Sequence, residues 1–260
     1  MFYITLLADR VKTDLMTLSN NIVISQPMYF PWVGMLEQIR LSDIFIFYGD
    51  VQFSRGFYNR VQIKTKSGWN WLTIPLTNRS QKSKIDELVV SNESDWQSQH
   101  LNSINDAYRA APFKHDALKL VESVFSHGDS LLSELSKRST MALAEYYSLH
   151  HDTEFKDSKN IFDEFSGSER LLKLCKLYDS NVYITGHGAL KYISHDLFDS
   201  SGVDIKYMNY QKRQYNQQHG TFNPYVSGLD LVANCGPGGL SYICSKAVYW
   251  KDFCNNRSSK

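Results

Sequence analysis

The regular pattern of the chain opens at residue 22. An apolar run, Ile22-Val23-Ile24, leads into the polar, proline-bearing segment Gln26-Pro27-Met28-Tyr29-Phe30-Pro31-Trp32-Val33-Gly34. Apolar residues at helical spacing follow (Met35, Leu36, Ile39), and a second apolar run occupies 43–48. The pattern predicts strand, loop, helix, strand. In an open α/β sheet, the loop leaving the carboxyl end of a strand meets a helix N-terminus, whose unpaired N–H groups and partial positive charge favour ligands. The candidate site therefore begins at residues 26–34.

Alternation of apolar and polar residues over 61–65, a Ser67-Gly68 turn and the run 69–76 predict a β-hairpin over 60–77. A polar, basic loop (78–84) and a short strand (85–90) come next. From Ser94 the period becomes helical. Ser94 or Asp95 caps a helix carrying Trp96, His100, Ile104, Ala107 and Tyr108, and 114–127 and 130–150 give two more. A linker covers about 152–168. Beyond it the order is helix (168–177), strand (182–185), glycine loop (Gly186-His187-Gly188), helix (189–198) and strand (203–207), as a parallel crossover requires. The tail gives a short helix at 229–234, a break at 236–239 and a final apolar helix from Leu240 to Trp250. The expected fold is α/β: a mostly parallel, Rossmann-like sheet with an inserted β-hairpin and a helical layer at about 94–150, in one domain over 21–260. Residues 1–10 read as a short strand or helix and 11–21 have little periodicity, so 1–20 are set apart as an N-terminal extension, with Met1 or Met16 as the start.

Composition narrows the partners. A net charge of +1 gives no reason to expect nucleic acid or a membrane surface as the main partner. The four cysteines are unevenly spaced with no Cys-x-x-Cys pair, so no metal site is expected. No secretory leader precedes residue 22, and no apolar run approaches the ~18–20 residues of a membrane span, so a reduced, cytoplasmic setting is expected. Aromatic residues make up 13% of the chain, with 16 Tyr and 14 Phe, which fits either an aromatic core or a cleft walled by rings. Sugars and nucleobases both bind such clefts.

Each candidate residue has a structural alternative. Gln26 stands at a strand end, where it can orient a ligand. Tyr29 and Trp32 either line a cleft or pack a rigid turn. Asp50 follows the second strand and serves either as general base or as a turn cap. Arg60 and Lys64 share a strand face and either clamp a diphosphate or are solvated charges. His100 lies one turn after Trp96 and is an acid–base group or a structural imidazole. His187, between Gly186 and Gly188, resembles a phosphate-cradling turn, with Lys191 placed to neutralise phosphate. Cys175, among Leu171, Leu172 and Leu174, reads as a buried thiol. Asp230 and Asn234 share a helix face and suit a buried hydrogen-bond network.

Gln26-Pro27 with Tyr29, Pro31, Trp32 and Gly34, then Asp50-Val51-Gln52-Phe53, Asn59-Arg60, Ile63-Lys64, Gly68 and Trp71-Leu72-Thr73-Ile74-Pro75, resemble the successive motifs of the WbqC-like family. Further matches follow in order at Trp96, His100, Tyr108, Ala111, Arg170-Leu171, Cys175, Gly186, Tyr192, Phe198, Gly202, Asp230, Asn234 and Gly236, so the resemblance covers about 22–240. Family members tend to carry a paired acid before Val-Gln; this chain has Gly49-Asp50, which argues against a two-carboxylate metal site.

The resemblance implies a bacterial protein of surface-polysaccharide synthesis, notably of O-antigen in lipopolysaccharide. It implies a transferase that modifies a nucleotide-linked amino sugar with an acyl or aminoacyl group, such as glycyl. Asp50 and His100 would be catalytic, and Gln26, Tyr29, Trp32, Gly34, Gln52, Asn59, Arg60, Lys64, Gly186, His187 and Lys191 would bind substrate. The resemblance names no cofactor. The Pro-Trp-x-Gly turn is similar in placement to the His-x-Gly-His turn of the amide-forming pantothenate synthetases. By that analogy the donor would be an acid activated by ATP and Mg as an acyl-adenylate, with an aminoacyl-tRNA, the one nucleic-acid partner, as the other donor. The alternatives are a nucleotidyltransferase-like enzyme acting on sugar phosphates, whose His-x-Gly-His turn would stand where Pro-Trp-x-Gly stands here, and a non-catalytic sugar-nucleotide-binding protein.

Overall fold

The computed structural model describes residues 20–258 except 55, 78 and 81, so the extension expected at 1–20 lies outside the described residues apart from Asn20. β1 (Asn21–Ser25), α1 (Val33–Leu41) and β2 (Ile44–Phe47) follow one another, with β1 and β2 parallel and Ile22 opposite Ile44. An insertion then leaves the sheet. β3 (Arg60–Thr65) pairs antiparallel with β4 (Gly68–Thr73), and β5 (Leu76–Thr77) with β6 (Val89–Val90). Three helices follow: α2 (Trp96–Ala107), α3 (Lys114–Phe125) and α4 (Leu132–Tyr146). The chain returns through β7 (Glu154–Asp157), α5 (Gly167–Leu177), β8 (Val182–Thr185), α6 (His195–Ser200) and β9 (Asp204–Asn209). It ends with α7 (Gly228–Cys235), β10 (Lys246–Tyr249) and α8 (Trp250–Ser258).

The central sheet has the order β7-β2-β1-β8-β9-β10, parallel throughout except for β10. From β1 the chain builds outward to β2 and β7, then returns to β1's other side and builds outward through β8 and β9. The direction of winding thus reverses between β1 and β8. Period-two alternation splits the strands between two cores. Val23, Phe45, Phe47 and Ile184 face α1, the inserted helices and α7, while Ile22, Ile24, Ile44, Ile46 and Tyr183 face α5, α6 and α8.

Four stretches differ from the sequence expectation. The linker expected at 152–168 contains β7, whose sequence Glu-Phe-Lys-Asp is polar because it pairs on one side only, with β2. The helix expected over 240–250 is instead a 3-10 turn (Gly236–Tyr242) followed by β10, and a helix starts only at Trp250. Pairing of Lys246-Ala-Val-Tyr with β9 overrides the helical spacing of its apolar residues. The helix expected over 189–198 is a 3-10 turn (His187–Lys191) and the short α6. The strand expected at 85–90 divides into a 3-10 turn (Ile85–Glu87) and β6.

The loop after β1 is fixed from two distant parts of the chain. Phe30 has φ +38°, a left-handed conformation that costs a non-glycine residue about 1–2 kcal/mol. Its N–H donates to Ser139 Oγ of α4 at 2.9 Å, and its carbonyl accepts from Ser227 Oγ, the N-cap of α7, at 2.8 Å. Next door, the Gly228 N–H donates to the Pro31 carbonyl at 2.7 Å, while the Ser227 N–H donates to Gln62 of β3 at 2.8 Å. A Cβ on residue 228 would stand 2.9 Å from the Pro31 oxygen, so only glycine permits this approach. Replacing Ser227 with Ala leaves the Phe30 carbonyl and the Leu229 N–H buried without their partner. Urea unfolding of Ser227→Ala should show a loss of about 1–3 kcal/mol.

Candidate functional site

The carboxyl ends of the parallel strands open into a cavity of about 850 Å³ beside the point where winding reverses. Ligands of open α/β sheets bind at this position, because diverging loops leave a crevice there. Ser25 and Gln26 enter it from the end of β1, Tyr48 and Asp50 from β2, Thr185, Gly186 and His187 from β8, and Tyr210 and Lys212 from beyond β9. Asp163, Ser166 and Gly167, at the start of α5, close another side.

One wall is a rank of rings. Trp32 lies 4.9 Å from Tyr210 and 5.5 Å from Tyr225, and Tyr210 lies 5.2 Å from His187. Gly34 makes this possible: a Cβ there would sit 2.3 Å from the Trp32 ring, which lies flat over the first turn of α1. Tyr210 is held by Gln38, whose Nε2 donates to its hydroxyl at 2.7 Å. At the rim Lys212 Nζ donates to the Tyr225 hydroxyl and lies 4.8 Å from that ring's centre. Tyr48, Tyr58 and Tyr192 line the cavity as well, and burial raises the pKa of the Tyr48 and Tyr58 hydroxyls, keeping them neutral donors.

His187 reaches the cavity with a defined tautomer. The Met208 carbonyl can only accept, so the nitrogen 2.6 Å from it, Nε2, carries the proton and Nδ1 is left as the acceptor. Gln26 lines the same space, and its Oε1 is buried with no hydrogen-bond partner among the described residues. Gly186 is close-fitted, since a Cβ would stand 3.2 Å from the Tyr210 hydroxyl.

Asp50 is buried at the cavity floor with both oxygens engaged. Ser158 Oγ donates to Oδ1 at 2.5 Å, and Arg170 of α5 donates to Oδ2 at 2.5 Å. The same guanidinium donates to the carbonyls of Ser158 and Ile161 and lies over the Tyr48 ring. A carboxylate held in this way ties β2 to α5; each oxygen already accepts a short hydrogen bond, one of them from a cation, which suits positioning better than proton abstraction.

Of the residues expected in the site, the structure brings Gln26, Trp32, Asp50, Gln52, Gly186 and His187 to the cavity, with Gly34 beneath Trp32. The others lie elsewhere. Tyr29 and His100 meet in the core, where the Tyr29 hydroxyl and His100 Nδ1 are 3.0 Å apart. Burial there, partly offset by a hydrogen bond to the Thr73 backbone, pulls the His100 pKa down to about 4, so the imidazole is neutral. Asn59 Nδ2 donates to the Ile74 carbonyl within the insertion. Arg60 lies over the Trp71 ring at 4.1 Å, while Lys64 turns inward to Gln217 Oε1 and the Gly220 carbonyl, so the two do not converge on a diphosphate. Lys191 is exposed and is not among the cavity-lining residues.

Cys175 is buried, which pushes its thiol up to about 12 and away from nucleophilic chemistry. Asp230 and Asn234 form a network with Tyr215, whose hydroxyl donates to Asp230 Oδ1 at 2.9 Å. Sequence reasoning missed Arg170, Lys84, Tyr48, Tyr58, Tyr210, Lys212 and Tyr225 as site residues. Position alone would have found two of them: Tyr48 and Tyr210 are the first residues past β2 and β9. Among the described residues, no group of three or more His, Cys, Asp and Glu side chains is placed to hold a metal ion, and no helix is long and apolar enough to cross a membrane.

The strand order and the cavity define an α/β protein with a ring-walled ligand cleft at the carboxyl edge of its parallel strands. The chain belongs to the WbqC-like protein family, whose model matches residues 26–242. It is similar to the uncharacterized protein Rv1507c of Mycobacterium tuberculosis, 31% identical over 233 residues that cover 86% of this chain and 97% of that one. No solved structure matches it.

Removing Asp50 strands the Arg170 charge in a buried site. Asp50→Ala should therefore lose about 3–5 kcal/mol in urea unfolding, whereas Asp50→Ala with Arg170→Met should recover part of that loss. His100 gives a pH signature. Its folded pKa lies below the unfolded value, so the unfolded state binds the extra proton, and the stability linked to it is lost as pH falls from about 6.5 to about 4. His100→Gln removes the titration, so the stability gap between wild type and variant, followed by urea unfolding across that window, should narrow by roughly 3 kcal/mol on acidification.

Proposed function

We propose that the cavity binds a nucleotide-linked amino sugar and that the protein is a cytoplasmic transferase forming an amide on the sugar's amine, in the synthesis of bacterial surface polysaccharide such as O-antigen. The observation that carries this reading is one cavity of about 850 Å³, at the reversal of winding, that combines a ring wall, lysines and an imidazole with a fixed tautomer. The strand order supports a Rossmann-like reading of the sheet, in which a nucleotide lies across this crevice. Trp32 and Tyr225 offer faces for a base or a pyranose, Lys212 and Lys84 offer charge to the diphosphate, and the buried Gln26 Oε1 offers an acceptor to a hydroxyl or amine.

In amide formation the amine attacks the acyl carbon, the C–N bond forms as the bond to the activating group breaks, and the nitrogen loses a proton. His187 Nδ1 is the base for that proton, with the Met208 carbonyl holding the ring from behind. Asp50 and Arg170 position Tyr48 and the start of α5, and His100 supports the loop from the core. A second reading, sugar-nucleotide binding without turnover, is favoured by the engagement of both Asp50 oxygens.

Mass spectrometry should find a single amide product when nucleotide-linked amino sugars are supplied with an acid and ATP, an acyl carrier or aminoacyl-tRNA. AMP release would mark adenylation, pyrophosphate with a new sugar nucleotide would mark nucleotidyl transfer, and tight binding with no product from any donor would establish the second reading. His187→Asn should slow product formation about 10²- to 10⁴-fold while leaving the calorimetric Kd for the sugar nucleotide within about threefold. Lys212→Ala should instead weaken binding about tenfold.

A further inference from the structure

Between Asp50 and Asp86 the chain carries seven lysines and arginines and no aspartate or glutamate, in a protein whose net charge is +1. This segment contains the β3–β4 hairpin. Trp69 and Trp71 stand two residues apart on β4 and so share a face. Trp69 is 56% exposed, its ring meets Trp71 edge-on at 6.0 Å, and Trp71 lies 5.4 Å from Phe57. The three rings are therefore in successive contact, Phe57 to Trp71 to Trp69. The Arg60 guanidinium stacks over Trp71, and Lys66, Arg79 and Lys82 are exposed in the same segment. Phe57 is followed in the chain by Tyr58, which lines the cavity together with Lys84, so the base of the hairpin adjoins the cavity.

Ring faces interleaved with cations are the chemistry of single-stranded nucleic acid, whose bases stack while its phosphates meet the charges. An anionic lipid surface would take the charge and the protruding Trp69 but would leave the half-buried Trp71 and Phe57 unused, and a neutral glycan would use the rings but not the charge. We propose that this hairpin face binds single-stranded RNA, with one end directed to the cavity. Resting on the transferase reading above, that RNA would be the acceptor end of an aminoacyl carrier. The ester C–O bond to its ribose breaks, the C–N bond to the sugar amine forms, and the amine's proton ends on the released ribose hydroxyl, so the donor's ester is the only activation consumed.

The test is fluorescence anisotropy of the full chain with a labelled mixed-sequence RNA of about 12 nucleotides. Micromolar binding at low salt is expected, weakening steadily as salt rises. The pair Trp69→Ala and Trp71→Ala should weaken it at least about tenfold, and the pair Lys66→Glu and Arg79→Glu should also flatten the salt dependence, with sugar-nucleotide binding unchanged in both. Absence of RNA binding at low salt would overturn the proposal, as would undiminished binding by the tryptophan variant or tighter binding of an acidic oligosaccharide such as a hyaluronate fragment. RNA binding without amide formation from aminoacyl-tRNA would sink the transfer step alone and leave the RNA face standing.

Discussion

The site depends on a two-sided hold on one strained residue. Phe30 sits in a left-handed conformation because Ser139 Oγ accepts from its N–H and Ser227 Oγ donates to its carbonyl. Each buried hydrogen bond contributes about 1 kcal/mol net and would cost more if left unmade, so the pair offsets the backbone strain. What the hold fixes is direction: Pro31 is tied to Gly228, Trp32 is laid across Gly34, and the ring rank of Tyr225, Trp32 and Tyr210 follows from that placement. The partners come from the helical insertion and from the last third of the chain, so the loop after β1 is a product of the whole fold.

The opposite side of the cavity has a different anchor. Arg170 gathers the Asp50 carboxylate and the carbonyls of Ser158 and Ile161 around one guanidinium, joining the ends of β2 and β7 to α5. A hydrogen-bonded strained backbone on one wall and a desolvated ion pair on the other leave little freedom for the walls to separate. Preorganisation of this kind lowers the ordering cost of a ligand.

The central strands are legible in the sequence because strands buried on both faces read as apolar runs, as Ile22-Val23-Ile24 and Val182-Tyr183-Ile184 do. β7 and β10 are not, since strands paired on a single side carry residues that a linker or a helix would also carry. The site follows the same logic. Gln26, Asp50, Gly186 and His187 are found from sequence because they lie just past strand ends, where chain order fixes location. Tyr29, His100 and Lys64 are misplaced because spacing along a helix or strand says which residues share a face and is silent on which way that face turns. Lys212 and Tyr225 come from a segment with no periodicity, where only the fold brings them to Trp32.

The two strands that were hardest to see also decide how the molecule behaves among its own copies. β7 ends the sheet with Glu154, Lys156 and Asp157, and β10 ends it with Lys246 in an antiparallel turn of the chain that α8 continues. A parallel sheet with bare apolar margins would template further strands from neighbouring chains. Here an incoming strand would have to strip water from charged side chains at one margin and meet a reversed strand at the other, which guards the protein against aggregation during and after folding.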